Sequence, residues 1–138
     1  MKSKQVLSIE QMKHLQELGF DTGNASMHWQ YLPTADAIIN GTDEIEEEPC
    51  LFVSQPNMKH EYPAYTLQDI LDKLPKEIKT STDTYWLEIS IYDCKEWYVC
   101  YSMSDEFDYY EEFKSRQLID AAYEMLCWCI EKGYIKTN

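Results

Sequence analysis

The sequence predicts one α+β domain: an antiparallel or mixed sheet of about four strands packed between helices, in the limit a three-layer α/β/α sandwich. Three observations predict it. A chain of 138 residues, 44% hydrophobic and 14% aromatic, has enough apolar surface for a single core, because a domain of this size buries roughly two thirds of its unfolded surface. Three segments have helical periodicity with end signals, and between the second and third lies a stretch that alternates with the period of a β-hairpin. No Pro-rich or Gly/Ser-rich linker and no fixed-period repeat divides residues 1–138,.

The first helix is predicted over residues 9–18. Ser8 is its N-cap, Gln11 the capping-box partner, and Leu7 staples against Met12,. Ile9, Met12, Leu15 and Leu18 form one face, leaving His14 off it, and Gly19 closes the helix in the left-handed conformation,. Residues 21–26 are turn-rich, and residues 27–32 alternate loosely as a strand ending before Pro33,. The run TDEIEEEP, residues 42–49, predicts a solvated acidic loop, and Cys50-Leu51-Phe52-Val53 behind it a short buried strand,. Pro56 and Pro63 bracket a further irregular connection.

A second helix begins after Thr66, with Asp69 at its third position, Leu67, Ile70, Leu71 and Leu74 on one face, and Pro75 just beyond its end,. It is too short to persist without packing. In residues 85–92, Leu87, Ile89 and Ile91 point one way, as do Trp97, Val99, Tyr101 and Met103 in residues 97–103,. A one-residue slip would send the two sets to opposite faces, so odd residues must pair with odd, for example Ile91 with Val99 and Ile89 with Tyr101, across a loop of odd length. The other face carries Trp86, Ser90, Tyr92, Tyr98 and Cys100 with Glu88 as its one charge, too apolar to meet only water,. A helix on each face or a second subunit is expected to cover it. The last helix is predicted over residues 116–132, with Ser115 as cap and Gly133 as stop. Leu118, Ala121, Ala122, Met125, Leu126 and Cys129 form its core stripe, and Asp120, Glu124, Cys127 and Glu131 lie opposite,. The order reads α, β, β, α, β, β, α.

Twelve basic against 25 acidic residues give a net charge of −13, which disfavours nucleic-acid binding because that relies on cations neutralising phosphates. The charge describes a soluble surface, or one that meets a basic partner or imitates the phosphate track of DNA. Neither a continuous apolar stretch near the amino terminus nor a run of about 18 apolar residues is present, so neither export nor membrane spanning is expected,. Cys50, Cys94, Cys100, Cys127 and Cys129 are an odd set, expected as reduced thiols in a cytoplasmic protein,.

Phe20-Asp21-Thr22-Gly23 matches the hydrophobic-Asp-Thr-Gly signature in which paired aspartates activate water,. A capped helix precedes it where that chemistry needs a strand, so Asp21 is read as a turn residue bonding through its side chain. Cys127-x-Cys129 and the pair Cys94 and Cys100 lack the spacing of zinc ligands, because residues two apart on a helix diverge. Cys127 is then the outward, reactive thiol and Cys129 the inward one. His14, His28 and His60 are scattered and are read as solvent-exposed. There is no Walker loop, dinucleotide motif or EF-hand. No cofactor, metal or catalytic residue is assigned.

The acidic run Asp43, Glu44, Glu46, Glu47 and Glu48 has no hinge glycine for a divalent cation,. The more informative cluster sets Asp105, Glu106, Asp108, Glu111 and Glu112 among Phe107, Tyr109, Tyr110 and Phe113. Tyrosine is enriched at interfaces, so residues 105–112 are the candidate interaction surface.

Residues 62–78 (YPAYTLQDILDKLPKEI), the Leu87-x-Ile89 and Trp97-Tyr98-Val99 hairpin, and residues 118–135 (LIDAAYEMLCWCIEKGYI) resemble small proteins of bacteriophages and integrated mobile elements. They are similar to those with a phage "ABA sandwich" domain. The resemblance implies a sheet between helical layers and a phage setting; its motifs are caps and core positions and carry no catalytic residue. The expected function is a non-enzymatic phage or mobile-element accessory protein that acts through contacts with an unidentified protein, a homodimer included. An acidic mimic of DNA that blocks a DNA-binding host defence protein is the alternative, and an enzyme of unknown class the second.

Overall fold

A computed structural model describes residues 4–91, 94–103 and 109–137. Among the described residues four helices and two antiparallel sheets form an α+β fold. The chain runs α1 (Ile9–Glu17), β1 (Met27–Gln30), α2 (Ala35–Asn40), β2 (Cys50–Val53), β3 (Tyr62–Ala64), α3 (Leu67–Lys73), β4 (Glu77–Lys79), β5 (Thr84–Ile91), β6 (Trp97–Ser102), β7 (Tyr109–Ser115) and α4 (Leu118–Glu131). The four strands expected, 27–32, 50–53, 85–92 and 97–103, do not share one sheet: the last two, as β5 and β6, form the centre of a β4-β5-β6-β7 meander whose outer strands, like α2 and β3, periodicity does not announce. The first two, as β1 and β2, pair instead with β3 in a separate sheet of order β2-β1-β3.

The helix ends follow the sequence closely. Ser8 and Gln11 close a capping box on α1, and Thr66 and Asp69 close one on α3. Tyr134 N–H bonds Cys129 C=O and Gly133 N–H bonds Ile130 C=O, with Gly133 at φ 81°. This left-handed closure ends α4. Ser115 is not the cap of α4: it ends β7, its Oγ accepts from Gln117 N–H, and Gln117 takes the cap position with its side chain turned to accept from Lys4 N–H instead of capping the helix.

The hairpin pairs odd with odd, as Leu87↔Tyr101, Ile89↔Val99 and Ile91↔Trp97. The parity is as expected; the alignment is two residues tighter than Ile91 with Val99. α4 packs on β6 and β7, with α3 against its flank. Leu7, Met12, Leu15, Tyr65, Ile70, Val99, Tyr101, Met125 and Leu126 share one core. On the even face Trp86 is 45% exposed, yet Cys100 and Ser102 are buried. On this face the Glu88 carboxylate accepts from Ser102 Oγ at 2.6 Å and from Cys100 Sγ at 3.9 Å.

Two readings are corrected here. Cys127 is not the outward thiol: both Cys127 and Cys129 are buried because α4 is packed on more than one side, and burial raises each to about 11. Cys50-Leu51-Phe52-Val53 forms the predicted strand, but as the outer strand of the small sheet and largely exposed.

Candidate functional site

The small sheet is held in place by a buried carboxylate. Asp69, in the first turn of α3, accepts from Thr66 N–H (3.0 Å), Ser26 N–H (2.9 Å) and Ser26 Oγ (2.5 Å). Ser26 immediately precedes β1, so one side chain caps α3 and fixes where β1 starts. Burial alone would raise the Asp69 pKa; the bonds from Ser26 and Thr66 outweigh it and hold it below the ordinary value,.

β1 pairs with β2 as Met27↔Val53, His28↔Phe52, Trp29↔Leu51 and Gln30↔Cys50. Ser54 N–H donates to Ser26 C=O at 2.9 Å. Antiparallel bonds alternate, so Phe52 and Cys50 face β1, while Leu51 and Val53 turn their N–H and C=O groups to the open edge. Among the described residues no other element pairs with that edge. Val53 is 74% exposed, and Ile38, Ile39, Ile45 and Met58 are exposed nearby in the chain. Immediately before β2 the carboxylates of Asp43, Glu44, Glu46, Glu47 and Glu48 all lie exposed, and among the described residues none is in an ion pair. Ile45 bridges to Pro33 and so continues the hairpin towards α2.

The concave features gather around this sheet. One cleft of about 580 Å³ is lined by residues that include His28, Trp29, Lys59, His60 and Glu61. A second, of about 860 Å³, runs along Leu32–Thr34, Ile45, the Glu46–Glu48 run and Cys50. A third, of about 620 Å³, includes Asp21, Ser54 and His60. Asp21 is the turn residue its motif suggests, accepting from Gly23 N–H at 2.9 Å.

Between the first and third clefts the two histidines are stacked face to face, ring centroids 3.7 Å apart and planes 11° from parallel. Phe52 stacks on His28 at 5.9 Å, and His28 Nδ1 lies 3.1 Å from Ser54 Oγ. The reading of these histidines as separate and exposed is therefore corrected: His28 is 8% exposed, and the pairing of β1 with β3, which begins two residues after His60, brings His60 to it. Burial first, and then His60, lowers the His28 pKa, while the Gln30 side chain raises it. Two imidazolium rings at that separation would repel by about 1 kcal/mol in water and about 4 kcal/mol at the effective dielectric of a surface pair. His60 Nε2 is buried without a hydrogen-bond partner.

Of the interaction surface read from the sequence, Asp105, Glu106, Phe107 and Asp108 lie outside the described residues. Tyr109, Tyr110, Glu111 and Glu112 open β7. Tyr110 stacks on Tyr85 at 4.9 Å, meets Trp128 edge-on and shares a hydrogen bond with the Tyr134 hydroxyl, while staying 39% exposed. His28, Phe52, Ser54 and His60 are absent from the sequence-based site. The signal available for them was Met27-His28-Trp29-Gln30 alternating ahead of a second short strand, which gives no hint that the two histidines meet.

Compared with protein-family models, curated proteins and solved structures, the chain finds no match. The resemblance to the phage sandwich proteins therefore rests on sequence motifs alone. Among the described residues no group of three or more His, Cys, Asp or Glu could hold a metal ion, and no helix is long and apolar enough to cross a membrane.

Proposed function

We propose that this chain is a non-enzymatic accessory protein that works by binding another protein, taking an extended lysine- or arginine-bearing segment as an added strand along β2. The observation that carries the reading is an open, apolar strand edge joined to five exposed carboxylates. Strand addition draws affinity from main-chain bonds and specificity from alternate side chains. Natural proteins blunt such edges with lysine, proline or a covering element, and β2 has none of these within it. The carboxylates select a basic occupant; a second copy, also at −13, would bring like charge to like.

The test is a titration with a synthetic peptide of about ten residues alternating valine and lysine, against the same peptide with glutamate for lysine. Amide shifts in the protein's NMR spectrum report the site. The lysine peptide is expected to bind with shifts centred on Leu51 and Val53, to weaken steeply as salt rises, and to be lost in Val53→Pro. That substitution removes an N–H pointing away from β1 and leaves the β1–β2 ladder intact. Equal binding of both peptides, or of the lysine peptide to Val53→Pro, would overturn the proposal.

A further inference from the structure

We propose that the Phe52–His28–His60 ring stack is a proton-sensitive clamp on the β1–β2 hairpin, closed while at most one imidazole is protonated and opened when both are. Three features of the geometry carry it. The histidine rings lie face to face at 3.7 Å, a contact that two cations cannot share without strong repulsion,. His60 Nε2 is buried without a partner, and a His60 cation, which carries N–H on both ring nitrogens, would hold a buried donor there with no acceptor,. Phe52, which belongs to the open strand, leans on the same stack through His28 and faces it across the ladder. Repulsion from His60 therefore acts on His28, the ring on which Phe52 and so β2 rests.

The groups around the stack do not offset a second charge. Ser54 and Gln30 approach His28 and are neutral. In the first cleft, Lys59 adds positive charge beside His60, Tyr31 is neutral, and Glu61 is exposed and engaged with the Tyr62 hydroxyl. In the other cleft Asp21 is exposed to water and bound to its own turn. The lowered pKa of His28 agrees in direction, burial disfavouring its cation most and His60 adding to it,.

Amide hydrogen exchange in the full chain tests the clamp without any partner. After correction for intrinsic exchange, protection of β1 and β2 is expected to fall at least about tenfold between about pH 7.5 and 5.5, with β5 and β6 unchanged, as one linked proton permits. His60→Phe keeps a stacked ring without a titrating group and should hold protection flat over that range; His60→Gln serves if the phenylalanine variant folds poorly. The same pH dependence in either folded variant as in the natural chain, or no loss of protection in the natural chain, overturns the clamp. That acid also releases a bound basic segment rests on the edge-binding reading above. A lysine peptide that binds at no pH would end that reading, while the exchange data would still decide the clamp.

Discussion

Asp69 is the residue whose loss should be felt most widely for its size. Asp69→Ala removes the acceptor from Thr66 N–H, Ser26 N–H and Ser26 Oγ together. A hydrogen bond to a charged group contributes about 1.5–3 kcal/mol, and a buried donor left unpaired costs about 1–3 kcal/mol. Asp69 is 9% exposed, but Ser26 is open to solvent and water will replace part of what it loses. About 1 kcal/mol for each of the three bonds gives about 3 kcal/mol in total, the lost capping box included. Urea unfolding followed by far-UV circular dichroism should show that loss as a lower midpoint at unchanged slope. Asp69→Asn, which keeps one acceptor, should lose about half as much. The pH dependence has a definite sign. The folded chain holds the Asp69 pKa below its ordinary value, so the unfolded chain binds the proton more readily and stability rises with pH. The advantage over Asp69→Asn is complete above the ordinary aspartate range and fades as pH falls through it. A cost below about 1 kcal/mol for alanine, or one equal for alanine and asparagine, would refute the account of Asp69 as the tie between α3 and β1.

Two further outcomes follow from the core. Tyr101→Phe should cost about 1–2 kcal/mol in the same unfolding assay, because the buried hydroxyl donates to Pro75 C=O at 2.7 Å and that carbonyl would be left unpaired,; a neutral result would mean water reaches Pro75. In native protein, a thiol reagent read by mass spectrometry should modify exposed Cys50 and Cys94 first. Cys100, Cys127 and Cys129 should react only on unfolding, being buried and raised to about 12, 11 and 11,.

The α+β class, the four-stranded meander's central hairpin and the ends of α1 and α3 were legible in the sequence because they depend on neighbours in the chain. Ser8 with Gln11 and Thr66 with Asp69 are three residues apart, and the parity of Leu87, Ile89 and Ile91 against Val99 and Tyr101 follows from a period of two,. Of the small sheet, β1 and β2 were legible as segments, but β3 and the pairing of the three into a second sheet were not, since the strands are only three or four residues long and their pairing joins segments separated by long connections. Periodicity cannot be measured over so few residues. The same cause hid the site: nothing local tells His28 that it will meet His60, or Phe52 that its strand will lie at an edge.

What the sequence determined by itself was α1, α3, α4 and the central hairpin with its pairing parity, the caps of α1 and α3, and the net charge of −13. Tertiary structure alone decided that residues 50–53 form an outer strand and not a core one, that Cys127 is buried, and that two histidines share a stack. Those properties depend on what packs against a residue from elsewhere in the chain, and that is fixed only when the sheets and α4 are assembled.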